Sequence, residues 1–206
     1  MIRFFAVAFV LVLLFASDNI FAQINNPVPT SDRPTASRNV PDWQARLELG
    51  DLLSGAGRFG EAEVQYRKVL EQQPENEAAR VRLARVLAWT GKGEEAIRLF
   101  TALPDSAMTS DDRMLIADHA IGSGQYDMAI RQLLAVLKST PDNDNARLKL
   151  AEVYSWSDRL EESFEQYERL LERHPDDVQI RRKYAQALSW AGRNEDAIRE
   201  LKRTLD

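Results

Sequence analysis

The sequence predicts an all-α protein: an array of about five helix-turn-helix units filling residues 43–206. Three observations carry this. The segments Ala88-Trp89-Thr90-Gly91-Lys92, Ser155-Trp156-Ser157-Asp158-Arg159 and Ser189-Trp190-Ala191-Gly192-Arg193 echo one another, the last two 34 residues apart. Self-similarity at such a period marks stacked repeats rather than a single globular core. Counted from Trp43, the units run 43–76, 77–109, 110–143, 144–177 and 178–206, and small side chains recur at two fixed places in them. The eighth position reads Gly50, Ala84, Ala117, Ala151, Ala185, and the twentieth Ala62, Ala96, Ala129, Ser163, Ala197. The fifteenth position, finally, holds Gly57, Gly91, Gly124, Asp158 and Gly192, residues that accept the left-handed backbone which ends a helix.

Taken in order, the chain opens on an address. Met1-Ile2-Arg3 is a short basic start, Phe4 to Ala16 is unbroken apolar sequence, and a polar stretch leads to Ile20-Phe21-Ala22. That order matches a secretory signal peptide over 1–22, cleaved after Ala22; the rival is an uncleaved anchor in the inner membrane. Residues 23–41 hold four of the eight prolines and few large apolar side chains, so they read as a linker. In each unit, small residues at eight and twenty let two helices approach. Large residues at the seventh position (Leu49, Leu83, Ile116, Leu150, Tyr184) and the twenty-fourth (Tyr66, Phe100, Leu133, Tyr167, Leu201) fill the space beside that contact. Pro74, Pro141 and Pro175 end second helices, and Asp42, Asn76 and Ser110 are the expected N-caps of first helices. Pro104 cuts the second helix of unit two short, so a longer loop is expected at 104–110.

Composition narrows the function. With 27 Lys and Arg against 32 Asp and Glu, the net charge is −5, which disfavours nucleic acid as a partner. The absence of cysteine excludes disulfides and thiolate chemistry. His119 lacks a second ligand one helical turn away, and His174 sits at a helix end, so both read as ordinary structural residues. The pairs Glu94-Glu95, Asp111-Asp112 and Glu161-Glu162 open helices, where negative charge is favourable. No phosphate loop, nucleophile elbow or metal-spaced cluster appears in the sequence, so no cofactor, metal or catalytic residue is assigned.

The pattern of small, large, glycine and proline positions resembles the tetratricopeptide repeat across residues 43–206. The resemblance implies a right-handed superhelical solenoid whose first helices line a concave, partner-binding face, and a non-enzymatic scaffold. The carried-over lining positions include Asp51, Arg85, Trp89, Met114, Asp118, Leu148, Glu152, Trp156, Arg182, Gln186 and Trp190, a groove of mixed charge with apolar spots. Two departures are visible: Met108 stands where the family usually has proline, and Gly93 and Asn194 replace an aromatic at the seventeenth position, so those turns are expected to pack less tightly.

Trp occupies the thirteenth position in units two, four and five (Trp89, Trp156, Trp190). Either each indole closes the turn against the following helix of its own unit, or the three form a ladder of faces for a peptide or sugar rings. The phrase Leu188-Ser189-Trp190-Ala191-Gly192-Arg193-Asn194-Glu195-Asp196-Ala197 is similar to repeats of exopolysaccharide export proteins, among them the repeat segment in the C component of bacterial cellulose synthase. In the last unit, Ile198, Leu201 and Leu205 are expected to pack back on the unit and Tyr184 and Leu188 to be partly covered. That end either pairs with another copy or a partner, or is capped by Arg199, Glu200, Lys202 and Arg203. The functional expectation is a periplasmic scaffold that binds protein in cell-envelope assembly, with a glycan-binding accessory of exopolysaccharide export as the alternative.

Overall fold

A computed structural model describes residues 41–205 of the chain. The segment expected to be a signal peptide (1–22) and, save for Pro41, the one expected to be a linker (23–41) lie outside the described residues. Within them are ten α-helices and no strand. Unit by unit, they are α1 (Asp42–Gly55) and α2 (Phe59–Gln72), α3 (Glu77–Trp89) and α4 (Gly93–Thr101), α5 (Ser110–Gly122) and α6 (Tyr126–Ser139), α7 (Asp144–Trp156) and α8 (Leu160–Arg173), α9 (Val178–Trp190) and α10 (Asn194–Lys202). Each helix packs on the next, and the first helices also meet across units: α1 with α3, α3 with α5, α7 with α9. A chain whose elements touch their near neighbours in this way is a solenoid, and its stability is the sum of unit and junction terms.

The periodic residues do what their sizes require. Ala62, Ala84, Ala117, Ala129, Ala151 and Ser163 are fully buried at the helix crossings. At Gly50 even a methyl is too large, since a Cβ there would lie 2.5 Å from the Tyr66 ring. All five residues at the fifteenth position have positive φ, Asp158 included at 61°. Ser163 brings a hydroxyl into a crossing where the other units have alanine; it donates to the Ala151 carbonyl at 2.8 Å and meets the Ser155 hydroxyl at 2.6 Å, so no polar group is orphaned.

Arginine at the fourth position ties the two helices of a unit. Arg46 reaches Gln65, Arg113 Gln132, Arg147 Gln166 and Arg181 Glu200, at 2.5–3.2 Å. Arg113, Arg147 and Arg181 also donate to a carbonyl of the preceding loop, at Asp105, Pro141 and Pro175. In unit two Leu99 stands where the acceptor would be, and Arg80 turns to Glu75 instead.

Several expectations are corrected. Asn76 is an N-cap, accepting the Ala79 amide at 3.0 Å, but Asp42 and Ser110 are the first residues of their helices, behind Pro41 and Thr109. Thr109 makes a reciprocal capping box with Asp112, a stronger arrangement than a lone serine offers. Leu49 and Leu201 are exposed rather than filling space, because seventh and twenty-fourth positions are covered by neighbouring units and these two face none among the described residues. Ile198 and Leu205 are exposed for the same reason. Tyr184 and Leu188, conversely, are buried. Unit four covers Tyr184, with Tyr167 stacked at 5.7 Å and Phe164 edge-on at 5.9 Å. The loop after Pro104 is as expected: α4 stops at Thr101 after nine residues, and a 3₁₀ turn at Asp105–Ala107 bridges to α5.

Candidate functional site

The face built by α1, α3, α5, α7 and α9 carries the carried-over groove residues, and its charges are mostly spent within the array. Asp51 accepts from Arg82 Nε at 2.6 Å and from the Tyr66 hydroxyl at 2.9 Å. Asp118 pairs with Lys149 at 2.6 Å, and Glu152 with Lys183. These are one motif: an acid at the ninth position paired with a base at the sixth position of the next unit. Burial, joined by the Asp51 carboxylate, pushes the Tyr66 hydroxyl well above its usual range, so it stays protonated as a donor.

The junction of units two and three breaks the motif. Position nine is Arg85 and position six is Leu115, so Arg85 reaches Asp112 instead, with Nε and Nη2 at 2.5 and 2.8 Å from its two oxygens. The Asp112 side chain is fully buried and also accepts from the Thr109 amide and hydroxyl at 2.9 and 2.8 Å. Burial alone would raise the Asp112 pKa; Arg85 and Thr109 outweigh it and hold the carboxyl below its usual range.

Trp89, Trp156 and Trp190 are 51%, 44% and 55% exposed. Each of Trp89 and Trp156 has an aromatic partner in the preceding unit. Trp89 tilts against Phe59 at 5.4 Å and Trp156 against Tyr126 at 6.3 Å, each partner being the seventeenth residue of the preceding unit. Each indole is thus braced by a ring of the preceding unit and remains about half exposed. Met114 and Leu148 are half-buried and join the cores of their units.

Two concavities lie along this face. The first, near units one and two, is lined by Asp51, Glu77, Arg82, Arg85 and Trp89 among others; Asp51, Arg82 and Arg85 already have partners, and Glu77 has no ion-pair partner among the described residues. The second, of about 300 Å³ between units four and five, is lined by Glu152, Ser155, Trp156, Tyr167, Gln179, Arg182, Lys183, Gln186 and Trp190. It brings Glu152, Trp156, Arg182, Gln186 and Trp190 of the expected residues together; Met114, Asp118 and Leu148 belong to neither. Family models of the tetratricopeptide repeat match residues 42–117, 114–163 and 144–187. The chain is a tetratricopeptide repeat protein.

Solved tetratricopeptide structures share the fold. MamA superposes with a TM-score of 0.67 at 21% identity, over 80% of this chain and 90% of its own. YrrB, a TPR protein with an unusual peptide-binding site, superposes with a TM-score of 0.69 at 18% identity, over 78% of this chain and 84% of its own. No curated protein matches the sequence.

His119 is half-buried, and its Nε2 donates to the Ala88 carbonyl at 3.0 Å. It fills the space left by Gly93: a Cβ on that glycine would collide with the imidazole. The turn at Gly93 is therefore plugged from the next unit rather than loose. His174 binds Asp144 at 2.6 Å at the surface. Sequence reading missed the ion-pair motif, although its signal was there: acid and base 31 residues apart at Asp51–Arg82, Asp118–Lys149 and Glu152–Lys183.

Proposed function

We propose that this protein is a non-enzymatic scaffold of the bacterial cell envelope, exported by its first 22 residues, that holds a segment of a partner protein on the face of its first helices. The observation that carries the reading is the concavity of units four and five. Two half-exposed indoles flank it, and Gln179, Arg182 and Gln186 are exposed in it. An aromatic wall beside convergent polar groups is the usual make-up of a recognition site. YrrB lends support as a protein of the same fold with a peptide-binding site.

Site-specific photocrosslinking tests it. A photoreactive residue at Gln186, in the groove, is expected to capture a discrete envelope protein, and one at Lys68, exposed on a second helix, is not. Equal capture from both places would refute a groove-directed scaffold. N-terminal sequencing of the exported chain is expected to begin at Gln23; a start at Met1 would replace cleavage with an anchor.

The second reading is an accessory of exopolysaccharide export. It draws on the exposure of Trp89, Trp156 and Trp190, since half-free indole faces suit sugar rings. Retention on soluble glucan, lost in Trp156→Ala/Trp190→Ala, would put this reading first.

A further inference from the structure

Internal junctions of the array repeat one pair of faces. The third, seventh and tenth positions of a first helix are buried in units packed on the one before: Ala79, Leu83 and Val86 in unit two, Ala146, Leu150 and Val153 in unit four. They meet the second helix of the preceding unit. Seventh-position Tyr184, for instance, lies on Phe164 and Tyr167, the twenty-first and twenty-fourth residues of unit four. Both faces recur, uncovered among the described residues, at opposite ends of the array. On α1 the three positions are Ala45, Leu49 and Leu52, all exposed, Leu52 by 73% where Val86 and Val153 are at 1% or less. On α10 the twentieth, twenty-first and twenty-fourth positions are Ala197, Ile198 and Leu201. Ile198 and Leu201 are exposed where their counterparts Ile130 and Leu133 are buried. With Ala185 of α9 these three line a concavity of about 510 Å³.

We infer that the two faces join: α1 of one copy docks on the α9–α10 face of a second copy, and the array continues from chain to chain. Apolar surface at these positions is what the internal junctions bury, so a second copy covers it with the packing the chain already uses. Charge complementarity points to the same occupant. Inside the chain an acid at the ninth position meets a base at the sixth position of the next unit. At the two ends that polarity is reversed. The sixth position of unit one is Glu48, exposed and without a base among the described residues. Unit five offers Gln186 at the ninth position and Arg182 one helical turn before it, exposed and likewise without a carboxylate among the described residues. A stack on the internal geometry sets Glu48 opposite Gln186 and within a turn of Arg182, whose guanidinium suits a carboxylate. The contact is heterologous, so each added copy brings a fresh face of each kind and growth passes beyond a dimer. This goes beyond the scaffold reading and does not depend on what the groove of units four and five holds.

The test is the mass of the exported chain by sedimentation velocity and light scattering across the micromolar range. The expected result is a mass that rises with concentration past that of a dimer. Leu52→Glu and Ile198→Glu change exposed residues, so each is expected to keep the wild-type circular dichroism. Each places a charge in the buried contact and is expected to weaken association by about a hundredfold or more. An equimolar mixture of the two variants is expected to form a dimer and nothing larger, since one intact face remains on each. Glu48→Arg is expected to weaken association about tenfold, and Glu48→Arg/Arg182→Glu to recover it. A strict monomer would overturn the inference and give the α1 stripe to a different protein. A dimer that grows no further and is lost in only one of the two Glu variants would overturn it in favour of like-to-like pairing of one end. Both outcomes leave the groove-directed crosslink from Gln186 to stand or fall separately.

Discussion

The junction of units two and three hangs on one buried carboxylate, and removing its cation should show. In Arg85→Ala, Asp112 keeps its two bonds from Thr109 but loses the two from the guanidinium. Breaking a buried ion pair by deleting one member costs about 3–5 kcal/mol; Arg85 keeps 34% of its side chain in water and the Thr109 donors remain, so about 2–3 kcal/mol is expected. The Asp112 pKa is depressed in the folded state. Its contribution is therefore complete above the unfolded carboxyl range and is lost as pH falls through the folded value. Urea unfolding followed by far-UV circular dichroism at pH 7 and at steps down to pH 2 measures both effects. The wild type is expected to lead Arg85→Ala by the stated margin at pH 7 and to converge with it in acid. Superimposable curves at pH 7 would refute the claim that this pair replaces the ninth-to-sixth-position motif at the junction.

Other perturbations follow from the same geometry. Gly50→Ala forces a methyl to 2.5 Å from Tyr66 and is expected to cost about 1–3 kcal/mol, read as faster hydrogen exchange in α1 and α2. Asp158→Gly relieves a left-handed non-glycine residue and is expected to raise stability by about 0.5–1 kcal/mol in thermal melts. Lys183→Ala breaks a surface pair and is expected to change stability by less than about 1 kcal/mol, in contrast to Arg85→Ala. Acrylamide is expected to quench most of the tryptophan emission, since Trp89, Trp156 and Trp190 are half-exposed; three shielded indoles would contradict the site.

The fold was legible because a repeat states its packing rules several times over. Position fifteen is read from five residues at once, and Asp158 is recognised as a left-handed cap because four glycines occupy its place elsewhere. Pro104 gave away the short α4 because proline's effect is local. What the sequence concealed is what depends on the neighbouring unit. The same consensus position is buried at Leu83 and exposed at Leu49, since exposure depends on what lies beyond the unit and not on the residue. Gly93 looks like a gap until His119, 26 residues on, is placed against it. The groove positions were readable by analogy with the family, but their pairing was not: an acid at position nine looks ready for a ligand until its base in the next unit is seen.

The central claim, that the groove of units four and five is the binding site, is tested most directly by the indole N–H resonances of the chain's four tryptophans. On titration with a pool of random octapeptides, Trp156 and Trp190 are expected to shift and Trp43, on α1, to stay still. Shifts at Trp43 with Trp156 and Trp190 unmoved, or no shift at any of them while peptide binds, would contradict it.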